Sequence, residues 1–279
     1  MRQEMSGIKY EHHAMRRLFG SVCPFKVEFD TAEPDSMANW HKNPEIIYIT
    51  DGDGTVQCGA QCYNAKKGDI FVINTDIIHN VCSNGNMGYY FIIIDEGFCR
   101  NNGIEAESYR FRNPVSDDDA ERVVKRITDI YGSRETENPK LCAAKLRTAV
   151  MELLVRLCEN YAEYVAESET VGNSDMYVRK AMVYISENYS RRIVTEDIAK
   201  SLGITKFHLA REFRKHTGET VISHINKVRC TKARQMINGG YSVTVAAMEC
   251  GFESVSYFSQ KFKKIMGISP REYIRNINQ

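Results

Sequence analysis

Two stretches of this 279-residue chain carry one helical pattern: "GITKFHLAREFRKHTGET" at 203–220 and "GFESVSYFSQKFKKIMGISPREY" at 251–273. Gly203 aligns with Gly251, Phe213 with Phe262 and Gly218 with Gly267, one residue being inserted between the first match and the second. A solenoid needs about three or more such units to bury a continuous core, so a pair calls for another reason. In each copy a glycine turn joins a short supporting helix, "EDIAKSL" or "SVTVAAMEC", to a longer one. Thr195 is expected to cap the first supporting helix, and Thr205 and Ser254 the two longer helices, because a hydroxyl there satisfies a free N–H. Ile198, Ala199, Leu202, Leu209 and Phe213 read as the small core beneath them. Helix, tight turn, helix is an arrangement whose second helix lies in the DNA major groove. Between the copies, "TVISHINKVRCTKARQMI" (220–237) reads as one unbroken helix, about 27 Å long at 1.5 Å per residue. A rod of that order can hold two reading helices in successive major grooves, which recur about every 34 Å on one face of DNA.

The charge is divided in the sense this requires. From Met176 onward there are 18 Lys and Arg against 8 Asp and Glu, and before it 19 against 28. A basic half on a nearly neutral chain points to a polyanion, nucleic acid before a membrane surface. No apolar run approaches the roughly 18 residues of a spanning helix. The first 20 residues lack the apolar stretch of an export signal, so the expected location is the cytoplasm. Nine cysteines without an export signal read as reduced thiols, and the spacing of Cys58, Cys62, Cys82 and Cys99 is poor for zinc.

Residues 25–100 alternate short apolar runs with turn signals such as "DGDG" and "SNGNMG", the pattern of a β-sandwich or barrel. The pattern then turns helical, with Val123, Val124, Ile127 and Ile130 on one face behind Asp117, Asp118 and Asp119. After Pro139, the residues Leu146, Val150, Leu153, Leu157, Tyr161 and Tyr164 recur at coiled-coil spacing. They are expected to form a dimer seam, the alternative being a helix packed on its own barrel. Residues 166–175, "AESETVGNSD", are small and polar and read as a linker.

At Gly251-Phe252, Ser256-Tyr257-Phe258, Phe262-Lys263-Lys264, Gly267, Ser269-Pro270 and Tyr273 the chain resembles the AraC/XylS family of bacterial transcription regulators, over roughly Tyr177 to Ile274. The resemblance implies a DNA-binding domain at 176–279. Its first reader would turn Lys206, Phe207, Ala210 and Arg211 towards bases, behind Thr205. Arg211 suits guanine, through paired bonds to O6 and N7, and Phe207 and Ala210 suit a thymine methyl. In the second reader, behind Ser254, the matching positions are Val255, Ser256, Tyr257 and Gln260. Gln260, where the family often has Arg or Lys, suits adenine or else leaves this reader mainly a grip on the backbone. Arg214, Lys261, Lys263 and Lys264 are assigned to phosphates.

"HKNPEIIYITDG" and "GDIFVINTDIIH" resemble the two short motifs of the cupin barrel, a sensor common in such regulators. Asn39 stands where a first metal-binding His would be, leaving His41, Glu45 and His79. Three readings stay open for them: groups that hold a small polar effector, buried structural polar groups, or a metal site. The expectation is an effector site, with no metal and no cofactor.

The expected fold is thus two domains. An N-terminal all-β cupin-like barrel with its arm (1–115) is followed by a helical dimerisation segment (116–165). After the linker at 166–175 comes an all-α domain of two helix-turn-helix units joined by a linker helix. The expected function is sequence-specific transcription regulation, activating, under a sugar or related metabolite, as a homodimer partnered by operator DNA and RNA polymerase. The rivals are a metal-dependent cupin enzyme with a helical appendage and a binder of DNA without sequence preference.

Overall fold

The computed structural model describes residues 17–18, 21–22, 24–32, 36–83, 85–165 and 173–277. Two compact units divide the chain, one running from Tyr10 to Gly172 and the other containing Asn173–Gln279.

The first unit opens with a two-residue pair, β1 (Arg17–Leu18) and β2 (Ser21–Val22), and continues through β3 (Phe25–Ala32), β4 (Glu45–Asp51), β5 (Asp53–Cys58), β6 (Gln61–Lys66), β7 (Ile70–Ile73), β8 (His79–Cys82) and β9 (Met87–Ile94). The strands form a four-stranded antiparallel sheet, ordered β3-β9-β4-β7, and a three-stranded one, ordered β6-β5-β8. Ile47, Ile49, Phe71 and Ile73 from the first sheet meet Val56, Ala65 and Val81 from the second in one apolar interior.

The reverse face of the larger sheet is covered by helices. After α1 (Glu96–Asn101) and β10 (Tyr109–Phe111) come α2 (Asp118–Gly132), α3 (Pro139–Tyr161) and β11 (Ala162–Tyr164), which pairs with β10. This second covering explains why β4 begins as a continuous apolar run: Ile47 and Ile49 face the interior while Ile46 and Tyr48 face the helices. Asp117 caps α2 by accepting from the N–H groups of Asp119 and Ala120. Arg156 of α3 grips the same carboxylate with Nε at 2.7 Å and Nη2 at 2.8 Å, tying the two helices together.

The dimer seam expected on α3 is corrected here. Leu146, Val150, Leu153 and Leu157 are fully buried within the chain itself, packed with Phe25, Ile46, Val72 and Ile92 of the sheet and Val124 and Ile127 of α2. Burying each such side chain stabilises the fold by about 1.5–3 kcal/mol, and the nearest apolar surface was the chain's own. The helix ends at Tyr161, which is half-buried, and Ala162 adopts an extended conformation. Tyr164 therefore lies on β11, opposite Tyr109 and exposed, rather than on the helical stripe.

The second unit is all helix: α4 (Asn173–Asn188), α5 (Thr195–Ser201), α6 (Lys206–Thr217), α7 (Val221–Asn238), α8 (Val243–Glu249), α9 (Val255–Met266) and α10 (Pro270–Ile277). The linker read at 166–175 lies outside the described residues up to 172, and 173–175 are the first turn of α4. Thr205 caps α6 by accepting from the His208 N–H, and Ser254 caps α9 by accepting from that of Tyr257. Thr195 does not act as expected: it is already the first residue of α5, and the cap position falls on Val194, which has no side-chain acceptor. Gly203, Gly218, Gly251 and Gly267 all have positive φ, turning the chain at the places where the two copies match. Val178, Met182, Ile198, Leu209 and Phe213 are buried in the first copy. Ala246, Ala247, Phe252, Phe258 and Phe262 pack with Cys230 and Ala233 of α7 in the second.

Candidate functional site: a buried polar cluster and two exposed helix faces

Glu45 stands on the same face of β4 as Ile47 and Ile49, so its carboxylate enters the apolar interior. His41 precedes β4 by one short turn and His79 begins β8. All three are buried. His41 Nε2 is 2.8 Å and His79 Nε2 3.2 Å from the same Glu45 oxygen, Oε2.

The opposite nitrogen of each ring is fixed by the main chain, His41 Nδ1 lying 2.7 Å from the Asn43 carbonyl and His79 Nδ1 2.8 Å from that of Ile77. A carbonyl only accepts, so each Nδ1 carries hydrogen and each Nε2 faces the carboxylate. The arrangement is attractive when those nitrogens are protonated or when a cation stands among the three groups. Burial by itself would raise the Glu45 pKa; the charge on His79 and hydrogen bonds from both imidazoles outweigh it and hold the carboxyl well below the usual range.

The three ligand atoms lie within 4.8 Å of one another, a donor set that fits a divalent cation. Two more residues stand beside the cluster. Asn39 exchanges backbone hydrogen bonds with His79, and its buried Oδ1 has no hydrogen-bond partner. Cys58 pairs with His79 across β5 and β8, and burial followed by the Glu45 charge pushes its thiol up to about 12. The motif resemblance had marked Asn39, and the strand pairing adds that both residues lie against His79.

In the helical unit, Lys206, Phe207, Ala210, Arg211 and Arg214 are all exposed along one side of α6 while Leu209 and Phe213 hold the other side in the core. On α9, Ser256, Tyr257, Gln260, Lys263 and Lys264 are exposed, Val255 and Lys261 are half-buried, and Phe258 and Phe262 face inward. Thr205 and Ser254, also exposed, stand at the two N-termini.

Some of these groups are already engaged. Lys206 lies 2.6 Å from Glu196, the Tyr257 hydroxyl accepts from Asn226 at 3.3 Å, and Lys261 lies over the Tyr257 ring. Beside the start of α9 is a cleft of about 540 Å³ lined by Arg192, Arg229, Gly251, Ser254 and Tyr257 among others. Arg229 is held there by donating to the carbonyls of Tyr189 and Arg191. The sequence offered no sign of it, because Arg229 belongs to the joining helix and not to either repeat.

With this geometry in view, the comparisons fall in register. A family described as the AraC-like ligand binding domain matches residues 28–154, and the Helix-turn-helix domain family matches 198–276. A Lactose operon transcription activator of Staphylococcus xylosus is 24% identical over 81% of this chain and 81% of its own length. A regulator of Pseudoalteromonas carrageenovora described as an uncharacterized HTH-type transcriptional regulator is 31% identical over 40% of this chain and 68% of its own. The solved structure of ToxT from Vibrio cholerae covers 90% of this chain and 98% of that one at 16% identity, with a TM-score of 0.44.

Proposed function

This chain belongs to the AraC family of transcription regulators, and we propose that it is an activator that answers to a sugar or related metabolite. Its matched domains are those of a regulator that binds DNA and a small-molecule effector, and not of an enzyme. The sugar and the activating role rest on the likeness to the Staphylococcus xylosus lactose operon activator.

The observation that carries sequence-specific reading is the pair of capped helices, α6 and α9, each exposing a polar row. They are joined by the 18-residue α7, which is about 27 Å long. Arg211 is assigned to a guanine, Phe207 and Ala210 to apolar base contact, and Gln260 to an adenine. Arg214, Lys261, Lys263 and Lys264 neutralise phosphates. No helix among the described residues is long and apolar enough to cross a membrane, and the place of action is the cytoplasm, with RNA polymerase as the downstream partner.

We infer a homodimer contact on the outer side of α3. There Leu141 and Val155 are exposed beside half-buried Met151. A groove of about 870 Å³ between α2 and α3 is lined by Arg122, Arg126, Arg156, Asp119, Glu152 and Glu159 among others. A surface carrying both charges around an apolar strip can complement a second copy of itself about a two-fold axis.

The effector site is assigned to His41, Glu45 and His79. Effector binding shifts the population between DNA-binding arrangements. Thermal melts of the full chain with and without lactose and other candidate sugars test this. A ligand that binds only the folded form contributes about 2.7 kcal/mol at a hundred times its Kd, seen as a raised Tm. Replacing each of the three by Ala is expected to leave operator binding intact and to abolish the shift. An undiminished shift in all three variants would remove them from the pocket.

The convergence of both Nε2 atoms on Glu45 favours a second reading, in which a divalent cation held by the three residues anchors oxygen atoms of the effector. A chelator that lowers the Tm, reversed by added zinc or iron(II), is the expected result on that reading. An unchanged Tm removes it.

A further inference from the structure

The residue after Arg211 is an acid pointing the other way. The Arg211 side chain is 72% exposed, that of Glu212 7%, and Arg211 Nε donates to Glu212 Oε1 at 2.9 Å. An acidic side chain on a helix that faces phosphates works against affinity, so its presence asks for a reason. Glu212 is itself buried among other ionisable groups. Its second oxygen lies 3.7 Å from Nε2 of buried His216, whose Nδ1 is 3.5 Å from Asp175 Oδ1. Asp175 Oδ2 is in turn 3.5 Å from Arg179 Nε. Burial opposes ionisation of Glu212, but the hydrogen bond and charge of Arg211 prevail and hold its pKa below the usual range. The guanidinium is touched at a second point, where Nη2 donates to His208 Nδ1 at 3.3 Å.

A guanidinium is planar, so fixing Nε and one side fixes the plane of the whole fork. The Nη1–Nη2 edge is not taken by the carboxylate and can make paired hydrogen bonds to guanine O6 and N7. Without such a holder, a long exposed Arg swings freely and serves any nearby phosphate equally well.

We propose that Glu212 is a positioning residue for base reading, holding the Arg211 guanidinium in one orientation so that it discriminates between base pairs instead of gripping the backbone. This rests on the reading of Arg211 as a base contact. Glu212 gives up some general affinity for DNA and gains sequence preference through its neighbour.

The test uses the full chain, with an operator selected from a pool of random duplexes and then substituted one base pair at a time. Arg211→Ala is expected to flatten preference at one base pair. Glu212→Gln, which keeps the shape and removes the charge, is expected to reduce preference at that same pair by about tenfold, within the range of one bidentate contact. Its affinity for random DNA should be unchanged or higher, and it should have no further effect on preference when combined with Arg211→Ala. If Arg211→Ala flattens the preference and Glu212→Gln leaves it intact, the positioning role is overturned while the reading of Arg211 stands. If Arg211→Ala changes nothing at any base pair, the base contact itself falls, and the positioning role with it. A Glu212→Gln protein with a lower Tm and an equal loss on operator and random DNA would make Glu212 a structural link between α6 and α4, and would also overturn the proposal.

Discussion

Residues 173–279 expressed alone should bind duplex DNA and lose about a thousandfold in affinity between roughly 50 and 200 mM salt, the loss expected for about six phosphate contacts. The unit is compact and contains its own buried apolar cluster. It is also the basic part of the chain, with 18 Lys and Arg against 8 Asp and Glu from Met176 on, where the residues before it have 19 against 28. A plot of log affinity against log salt should be linear. Lys263→Ala should make it shallower by about one on the reading of Lys263, exposed on α9, as a phosphate contact. Folded fragment that fails to bind at low salt would overturn the assignment of this unit to DNA.

The two turn glycines provide the second large effect, because the copies match in sequence and differ in surroundings. Gly203 and Gly251 have φ of +69° and +81°, and a left-handed conformation costs an L-residue about 1–2 kcal/mol. Around Gly203 nothing lies within 4 Å of where a Cβ would stand, whereas at Gly251 that atom would be 2.6 Å from the Tyr189 carbonyl oxygen and 2.9 Å from that of Ser190. Backbone at the end of α4 cannot move aside as a side chain can, so overpacking adds about 1–3 kcal/mol. Gly203→Ala is therefore expected to cost about 1–2 kcal/mol and Gly251→Ala about 2–5 kcal/mol in all. For a domain of about 100 residues the latter lowers the Tm by more than about 10 °C. It should also weaken operator binding, since the turn sets the angle of α9. Equal melting temperatures for the two variants would show that the contact to Tyr189 and Ser190 does not constrain the second copy.

Local features were legible in the sequence because local physics makes them. The hydroxyls at Thr205 and Ser254, the glycines after each supporting helix and the spacing of Leu209 and Phe213 act over one or two turns, and they placed α6, α9 and their exposed rows. The strand-rich half was legible for the same reason, since closely spaced turn signals limit what lies between them. Thr195 shows the limit of such reading: the chain enters α5 one residue early and leaves that hydroxyl without a cap to make.

What tertiary structure decided depends on partners distant in sequence. The apolar stripe of α3 was visible, but hydrophobic burial has no direction, and whether Leu146, Val150, Leu153 and Leu157 would meet another chain or their own sheet was settled only by the sheet having a second apolar face to cover. His41, Glu45 and His79 could be paired with a motif, yet their convergence on one carboxylate oxygen depends on antiparallel pairing that brings β8 beside Asn39 and β5. Nothing in the sequence around Glu212 says which way its side chain turns. Only the packing of α6 on α4 turns position 212 inward beside His216 while leaving position 211 outside, with the Arg211 Nε 2.9 Å from the buried carboxylate.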